Sequence, residues 1–159
     1  MLYFFFVLYL VEERYLDYLS KEELETVLSS SDSPECQLIM WGVQNNVSGI
    51  IYEYFNEVKE DPEHAKWGVQ NKAPQEFYQY FYILMKAPEL AKWGVLNNAL
   101  GEFYYYFDKL MEAPELAKFG IQNKASWNFY EYFDEVKESP ELAKLGIQNK
   151  APKDLSIYN

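Results

Sequence analysis

The chain has 159 residues, the usual length of one domain, and a formal net charge of −11 with an isoelectric point near 4.5. That charge argues against direct binding to nucleic acid or to anionic membranes, because both require a basic surface. It favours a basic partner or serves solubility alone. Cys36 is the only cysteine, so no internal disulfide can form. We therefore expect a cytoplasmic protein in which Cys36 is a small packing residue.

The first 33 residues are irregular and are predicted to form an N-terminal helical cap. Residues 1–11 are an unbroken apolar run, which is too short to span a bilayer as a helix and lacks the flanking features of a signal peptide. We predict one helix over about 2–19 that covers the open end of the array that follows, with a membrane anchor as the alternative. A capping box that begins at Ser20 predicts a second, short helix before a serine-rich loop.

Residues 34–159 contain one motif five times at a constant spacing of 26 residues, and the last copy is incomplete. In the third copy, residues 91–98 read Ala-Lys-Trp-Gly-Val-Leu-Asn-Asn. A repeat of this period indicates units that stack on their neighbours. The predicted fold is therefore all-α, an α-solenoid of about five helical-hairpin repeats.

Each copy is predicted to hold two antiparallel helices. A Pro-Glu pair opens helix A, for example over 88–97, because proline suits the first helical position and glutamate complements the positive helix end. A joint of two or three residues leads to helix B, over about 74–86 in the second copy. There Phe77, Phe81 and Leu84 have helical rather than alternating spacing.

A helical wheel of helix A places Leu90, Trp93, Gly94 and Asn97 on one face. The glycine recurs in every copy, and since it costs about 1 kcal/mol relative to alanine, we expect a neighbouring helix to approach it closely. The asparagine also recurs in every copy. It either has a structural role, in which it caps its own joint or adopts the left-handed conformation there, or belongs to a ladder of amides that holds an extended peptide. The candidate residues are Asn45, Asn71, Asn97, Asn123 and Asn149.

Helix B carries two columns of tyrosines on the flanks of its Phe/Leu stripe, where rings are usually buried and hydroxyls reach water. The first column is Tyr52, Tyr78, Tyr104 and Tyr130, and the second is Tyr54, Tyr80, Tyr106, Tyr132 and Tyr158. The outward positions are acidic, with Glu53 and Glu131 among them. This flank is either an ordinary solvated helix face or a binding strip for a basic or aromatic-seeking ligand. The first column and the two glutamates are the candidate binding residues.

No residue pattern indicates catalysis. The only histidine, His64, stands where three other copies have leucine, and it is expected to pack. No His/Cys cluster fits zinc, and no nucleophile has a base at motif spacing. We therefore predict no enzyme, no metal site and no cofactor.

The consensus of the repeat resembles that of the leucine-rich repeat variant, a HEAT-like array of two-helix units. This consensus is Pro-Glu-Leu-Ala-Lys-(Trp/Phe/Leu)-Gly-(Val/Ile)-Gln-Asn-Lys-Ala-Pro. The resemblance covers 34–159 and implies a right-handed superhelix. Tyrosine and phenylalanine replace the leucine that the family prefers. The Trp-x-x-x-Asn spacing, as in Trp93 and Asn97, is similar to the peptide-holding helix of armadillo repeats.

These patterns predict a non-enzymatic repeat scaffold that binds a protein or peptide through tyrosine, asparagine and acidic residues. A structural protein that self-assembles end to end is the alternative. In that case the apolar N-terminal helix and the incomplete last repeat join copies into a homo-oligomer. An acidic mimic of nucleic acid, which blocks a DNA-binding protein, is a second alternative suggested by the charge.

Overall fold

The computed structural model describes residues 22, 32–45, 47 and 49–149. These residues form helices joined by short turns, with no strand among them, which confirms the all-α class. The two helices predicted before residue 29 lie outside the described residues apart from Glu22, as does the partial copy after residue 149. No helix in the described ranges combines the length and the apolar character that crossing a bilayer requires.

Thirteen helices are described. In chain order they are α1 (Pro34–Gln44), α2 (Ile50–Glu53), α3 (Phe55–Val58), α4 (Pro62–Gln70), α5 (Gln75–Gln79), α6 (Phe81–Leu84), α7 (Pro88–Leu96), α8 (Gly101–Tyr105), α9 (Phe107–Leu110), α10 (Pro114–Gln122), α11 (Trp127–Glu131), α12 (Phe133–Lys137) and α13 (Pro140–Gln148). Helix A of the five copies corresponds to α1, α4, α7, α10 and α13. Each of these begins with proline near its first position, as the sequence predicts.

Helix B is not one continuous helix, and that prediction is wrong. In four copies it consists of two short helices separated by a tyrosine, whose φ lies between −98° and −109° and whose ψ lies between 15° and 31°. The positive ψ takes this residue out of the helical region and changes the direction of the chain. Neither proline nor glycine stands at the break, so local sequence does not signal it. The tyrosines at the break are Tyr54, Tyr80, Tyr106 and Tyr132.

The chain divides into two compact units, Met1–Phe81 and Tyr82–Asn159. In the first unit α1 packs against α4, and both α2 and α3 pack against α5. In the second unit α7 packs against α10 and α10 against α13, while α8 packs against α11 and α9 against α12. Most of these pairs join equivalent helices one period apart. The predicted boundary after residue 33 stays a prediction.

The core is built from columns of large apolar side chains. In the first unit Ile51, Phe55 and Phe77 are buried, and in the second Phe103 and Phe107 are buried at the equivalent places. Phenylalanines four residues apart, one on each side of the break in helix B, meet edge to face, with ring centroids 5.4–5.7 Å apart. This packing uses many of the aromatic residues that recur in helix B.

The buried face of helix A differs from the predicted one. In α7 the buried residues are Leu90, Ala91, Gly94 and Val95, whereas the Trp93 side chain is half-buried at the edge. The small side chains at the alanine and glycine positions allow a close approach, and the larger ring lies beside them. In the first unit Trp67 lies against the Phe77 ring, with centroids 6.2 Å apart.

The predicted close approach at the helix A glycine is confirmed. A Cβ atom at Gly68 would lie 2.7 Å from Cε1 of Phe77 and 3.1 Å from Oη of Tyr78. Both of these side chains are buried, so neither can move aside freely. At Gly42, Gly94 and Gly120 the added atom would meet an aromatic side chain of helix B in the same copy.

The first prediction is that Gly68→Ala destabilises the protein by about 1–3 kcal/mol, because the added methyl group overpacks a closed aromatic site. In an uncrowded helix the same change raises stability by about 1 kcal/mol. Urea unfolding followed by circular dichroism measures the difference. Gln70→Ala, at an exposed position of the same helix, is the control. A stabilised Gly68→Ala variant would contradict the close approach.

Candidate partner-binding surface

The repeated asparagine is exposed at the end of helix A, so its predicted place inside the apolar face is wrong. Its side-chain amide donates a hydrogen bond of 2.8–2.9 Å to the backbone carbonyl four residues earlier in four copies. The same carbonyl also accepts the backbone N–H of the asparagine. The capping interpretation is therefore confirmed for Asn45, Asn71, Asn97 and Asn123. Asn149 has the same exposed place at the end of α13.

The left-handed conformation falls one residue after the asparagine. Lys72, Asn98 and Lys124 have φ between 53° and 56°. In the second copy Ala73 N–H donates to the Gly68 carbonyl at 2.8 Å, and Lys72 N–H donates to the Val69 carbonyl at 3.1 Å. These two bonds form the Schellman motif that closes many helices. The carbonyl groups at the end of helix A therefore accept hydrogen bonds from the backbone of the joint and from the asparagine side chain.

The second prediction is that Asn97→Ala lowers the unfolding free energy by about 1 kcal/mol, the usual net value of one hydrogen bond. Partner affinity should be unchanged, because the amide is engaged by its own helix. Asn98→Gly is the control, since its positive φ suits glycine and no loss is expected there. An unchanged melting curve together with weakened binding would restore the amide-ladder interpretation.

The first tyrosine column is buried, so the prediction that its hydroxyls reach water is wrong. The side chains of Tyr52, Tyr78, Tyr104 and Tyr130 are only 1–3% exposed. The Tyr52 hydroxyl donates to the Ile39 carbonyl at 3.4 Å. Burial raises the pKa of Tyr78, and burial followed by the nearby Glu102 carboxylate raises the pKa of Tyr130 to about 12. These tyrosines belong to the core.

The described members of the second column reach the surface instead, and Tyr158 lies outside the described residues. Tyr54, Tyr80 and Tyr106 are half-exposed and Tyr132 is 41% exposed. In the first unit Gln75 Nε2 donates to Tyr54 Oη at 2.7 Å and to Glu53 Oε1 at 3.4 Å. The start of one helix B therefore lies beside the break tyrosine of the preceding copy. Glu53 is exposed and Glu131 half-exposed, which leaves their predicted surface role open.

One place on this surface is unusually aromatic. Tyr105 and Trp127 are 60% and 47% exposed, although they are large apolar side chains. They stand two periods after Glu53 and Gln75, and α8 packs against α11. The contact between Gln75 and the pair Glu53 and Tyr54 therefore predicts that Trp127 lies beside Tyr105 and Tyr106.

Two carboxylates accompany these rings. The pKa of Tyr106 is raised by desolvation and then by the Glu131 carboxylate, with smaller contributions from Tyr105 and Glu102. The Tyr105 and Tyr106 rings meet edge to face, with centroids 4.7 Å apart. We name Glu102, Tyr105, Tyr106, Trp127 and Glu131 the aromatic–acid cluster. Sequence reasoning named Tyr106 and Glu131 but missed Tyr105, Trp127 and Glu102, although a signal was present. The first, second and fourth copies have Glu53, Gln79 and Glu131 where Tyr105 stands, and the first three copies have Gly49, Gln75 and Gly101 where Trp127 stands.

Most lysines of the second unit are already paired. In helix A each pairs with the glutamate three residues before it, as in Lys118 with Glu115 at 2.6 Å. Lys109 lies 3.1 Å from Asp134, which also pairs with Lys137 at 2.8 Å. These contacts lower the pKa of Asp134, with the hydrogen bond from Lys137 as the larger cause. In the described part of the chain, Glu102 and Glu131 form no ion pair.

Cys36 and His64, the residues best suited to catalysis or metal binding, both lie at the start of a helix A and contact its own residues. Cys36 is buried in α1, and burial raises the pKa of its thiol, followed by the effect of Asp32. His64 donates its backbone N–H to Asp61, and its Nδ1 lies 2.8 Å from the same carboxyl group, at the start of α4. Over the described ranges, no three His, Cys, Asp or Glu side chains are placed to hold a metal ion.

No family model matches the chain, and no curated protein or solved structure matches it. The fold and the surface define an all-helical protein whose sequence repeats every 26 residues. Among the described residues, the large exposed aromatic side chains lie in the second unit.

Proposed function

We propose that the chain is a non-enzymatic scaffold, an α-solenoid of about five repeats, that binds a basic protein or peptide through the outward face of helix B. The pairing of equivalent helices within each unit supports the solenoid, because units that stack on their neighbours produce this pattern. The right-handed superhelix remains what the family resemblance implies.

The observation that carries the proposal is a constant core beneath a variable surface. The buried tyrosine of helix B is identical in four copies, at 52, 78, 104 and 130. The next position, which points outward, changes from Glu53 to Gln79, Tyr105 and Glu131. Packing requires the constant residues, whereas the variation on a fixed scaffold is typical of a surface that distinguishes partners.

The charge of the surface supports a basic partner. The net charge is −11, and many lysines are engaged by neighbouring carboxylates. Unpaired carboxylates on an outward face attract cationic side chains and steer their approach. Direct binding to nucleic acid and binding to anionic membranes are not expected for the same reason.

The proposal is tested with a peptide array that contains basic, neutral and acidic extended peptides at matched length. Basic peptides are expected to bind at micromolar concentrations, and their affinity should fall as salt is raised. The control is the same array with added polyglutamate as a competitor. Polyglutamate should displace the protein from the basic peptides only at high concentration. No binding to any peptide, or a preference for acidic ones, would overturn the proposal.

End-to-end self-assembly is the second candidate, and one observation favours it. Leu142 and Leu145 of α13 are 58% and 52% exposed, whereas the equivalents of Leu142, Leu90 and Leu116, are only 6% and 4% exposed. An exposed leucine at a position that is buried in two other copies, with a second exposed leucine one turn away, suits a contact with a second copy. Sedimentation velocity over a range of concentrations should then show association that Leu142→Lys abolishes. A monomer at every concentration would remove this candidate.

A further inference from the structure

The aromatic–acid cluster is absent from the equivalent place in the first unit. There Glu53 and Gln75 stand at the positions of Tyr105 and Trp127, and Gln75 donates a hydrogen bond to Tyr54. The first unit thus has a polar contact where the second unit presents large exposed rings. The first unit buries Tyr52, Phe55 and Phe77 as the second buries their equivalents, which are Tyr104, Phe107 and Phe129. Packing therefore does not require the two exposed aromatic residues of the second unit.

Each of two neighbouring helices supplies one ring and one carboxylate to the cluster. On α8, Glu102 and Tyr105 are three residues apart, and on α11, Trp127 and Glu131 are four residues apart. Residues at these spacings share one face of a helix. Because α8 packs against α11, we infer that the two pairs lie side by side at the surface.

In the described part of the chain, neither of these carboxylates forms an ion pair. Lys109 pairs with Asp134 at 3.1 Å and donates to the backbone carbonyl of Glu131, not to its carboxylate. Lys109 Nζ also lies 5.8 Å from the centre of the Tyr106 ring. The cluster therefore already holds one cation against an aromatic ring, while Tyr105 and Trp127 remain exposed.

We propose that the aromatic–acid cluster recognises an arginine side chain of the partner, with the guanidinium held by the rings of Tyr105 and Trp127 and by the carboxylates of Glu102 and Glu131. This inference rests on the proposed function and names the group that the surface selects. Arginine fits better than lysine because its planar guanidinium stacks on rings and pairs with carboxylates in a fork geometry, whereas ammonium is a compact and strongly hydrated charge. Exposed rings beside unpaired carboxylates present both of these interactions.

Calorimetric titration with two short peptides tests the inference, one of alternating arginine and glycine and the other of alternating lysine and glycine. The arginine peptide is expected to bind several-fold more tightly. Trp127→Ala and Tyr105→Ala should each weaken the affinity for the arginine peptide by about two- to fivefold, the usual loss of an exposed cation–π contact. Glu131→Gln should weaken it and reduce its dependence on salt.

Matched controls lie in the first unit. Gln75→Ala changes the residue equivalent to Trp127. Glu53→Gln removes one negative charge at the position equivalent to Glu131. Neither control should change the affinity for arginine by as much as its counterpart. Thermal melts confirm that every variant is folded, which is expected because these side chains are at least partly exposed.

The outcomes separate the two proposals. Arginine binding that persists unchanged in Trp127→Ala and Tyr105→Ala overturns the arginine site while the scaffold function stands. Equal binding of the lysine peptide, with equal losses in the variants, overturns the preference for arginine. Failure of the wild-type protein to bind either basic peptide overturns both the site and the proposed basic partner.

Discussion

Tyr104→Ala is expected to destabilise the protein by about 3–5 kcal/mol, the usual cost of truncating a large buried aromatic side chain. The Tyr104 ring is 1% exposed and lies edge to face against Phe103, with centroids 5.2 Å apart. Its removal leaves a cavity that a closely packed core fills only in part. Chemical unfolding measured by circular dichroism and by intrinsic fluorescence gives the free-energy difference.

The adjacent residue provides the control for this prediction. Tyr105 is the same residue type one position along the chain, but it is 60% exposed. Tyr105→Ala should therefore lower stability by less than about 1 kcal/mol, as expected for a surface substitution. Similar losses in the two variants would show that the first tyrosine column is not the core of helix B.

Alkaline pH is expected to destabilise the second unit through Tyr130. Burial, followed by the Glu102 carboxylate, raises the pKa of Tyr130 to about 12 from an ordinary value of 10.0. Since the folded pKa is the higher one, the contribution is complete below pH 10 and is lost as the pH rises towards 12. The difference of about two pH units corresponds to about 3 kcal/mol at most.

The comparison of the wild-type protein with Tyr130→Phe isolates this effect. Urea unfolding at pH 8 and above pH 11 should show a smaller alkaline loss in the variant, because it has no hydroxyl to ionise when unfolded. Lysine titration affects both proteins alike and cancels in the comparison. Tyr132→Phe, at an exposed position two residues further on, should keep the wild-type loss. Identical alkaline curves for the wild type and Tyr130→Phe would argue against a buried, neutral hydroxyl.

Local chemistry made several features predictable. Proline marks where helix A begins, for example at Pro88, because the missing N–H is not needed there. The repeated glycine indicated a close approach, and Gly68 indeed has no room for a methyl group. The asparagine that follows helix A caps it, as at Asn97. Each of these effects acts over a few residues, so a single sequence contains the information.

The candidate site was predicted less well. The sequence identified the outward flank of helix B, but it assigned the first tyrosine column to the surface, whereas Tyr52 and Tyr78 are buried. The residues that form the aromatic–acid cluster come from helices one period apart. Helical spacing groups Trp127 with Glu131, and only the packing of α11 against α8 brings them near Tyr105.

The sequence by itself determined the all-helical class, the period of 26 residues, the beginnings of helix A and the capped joints, because these depend on backbone geometry and on contacts within a few residues. The tertiary structure decided which tyrosine column is buried, where helix B breaks and which face of helix A points inward. A helical period fixes the angle between side chains, but it does not fix which flank a neighbouring helix covers. Burial of Tyr104 and exposure of Tyr106 follow from the position of that neighbour.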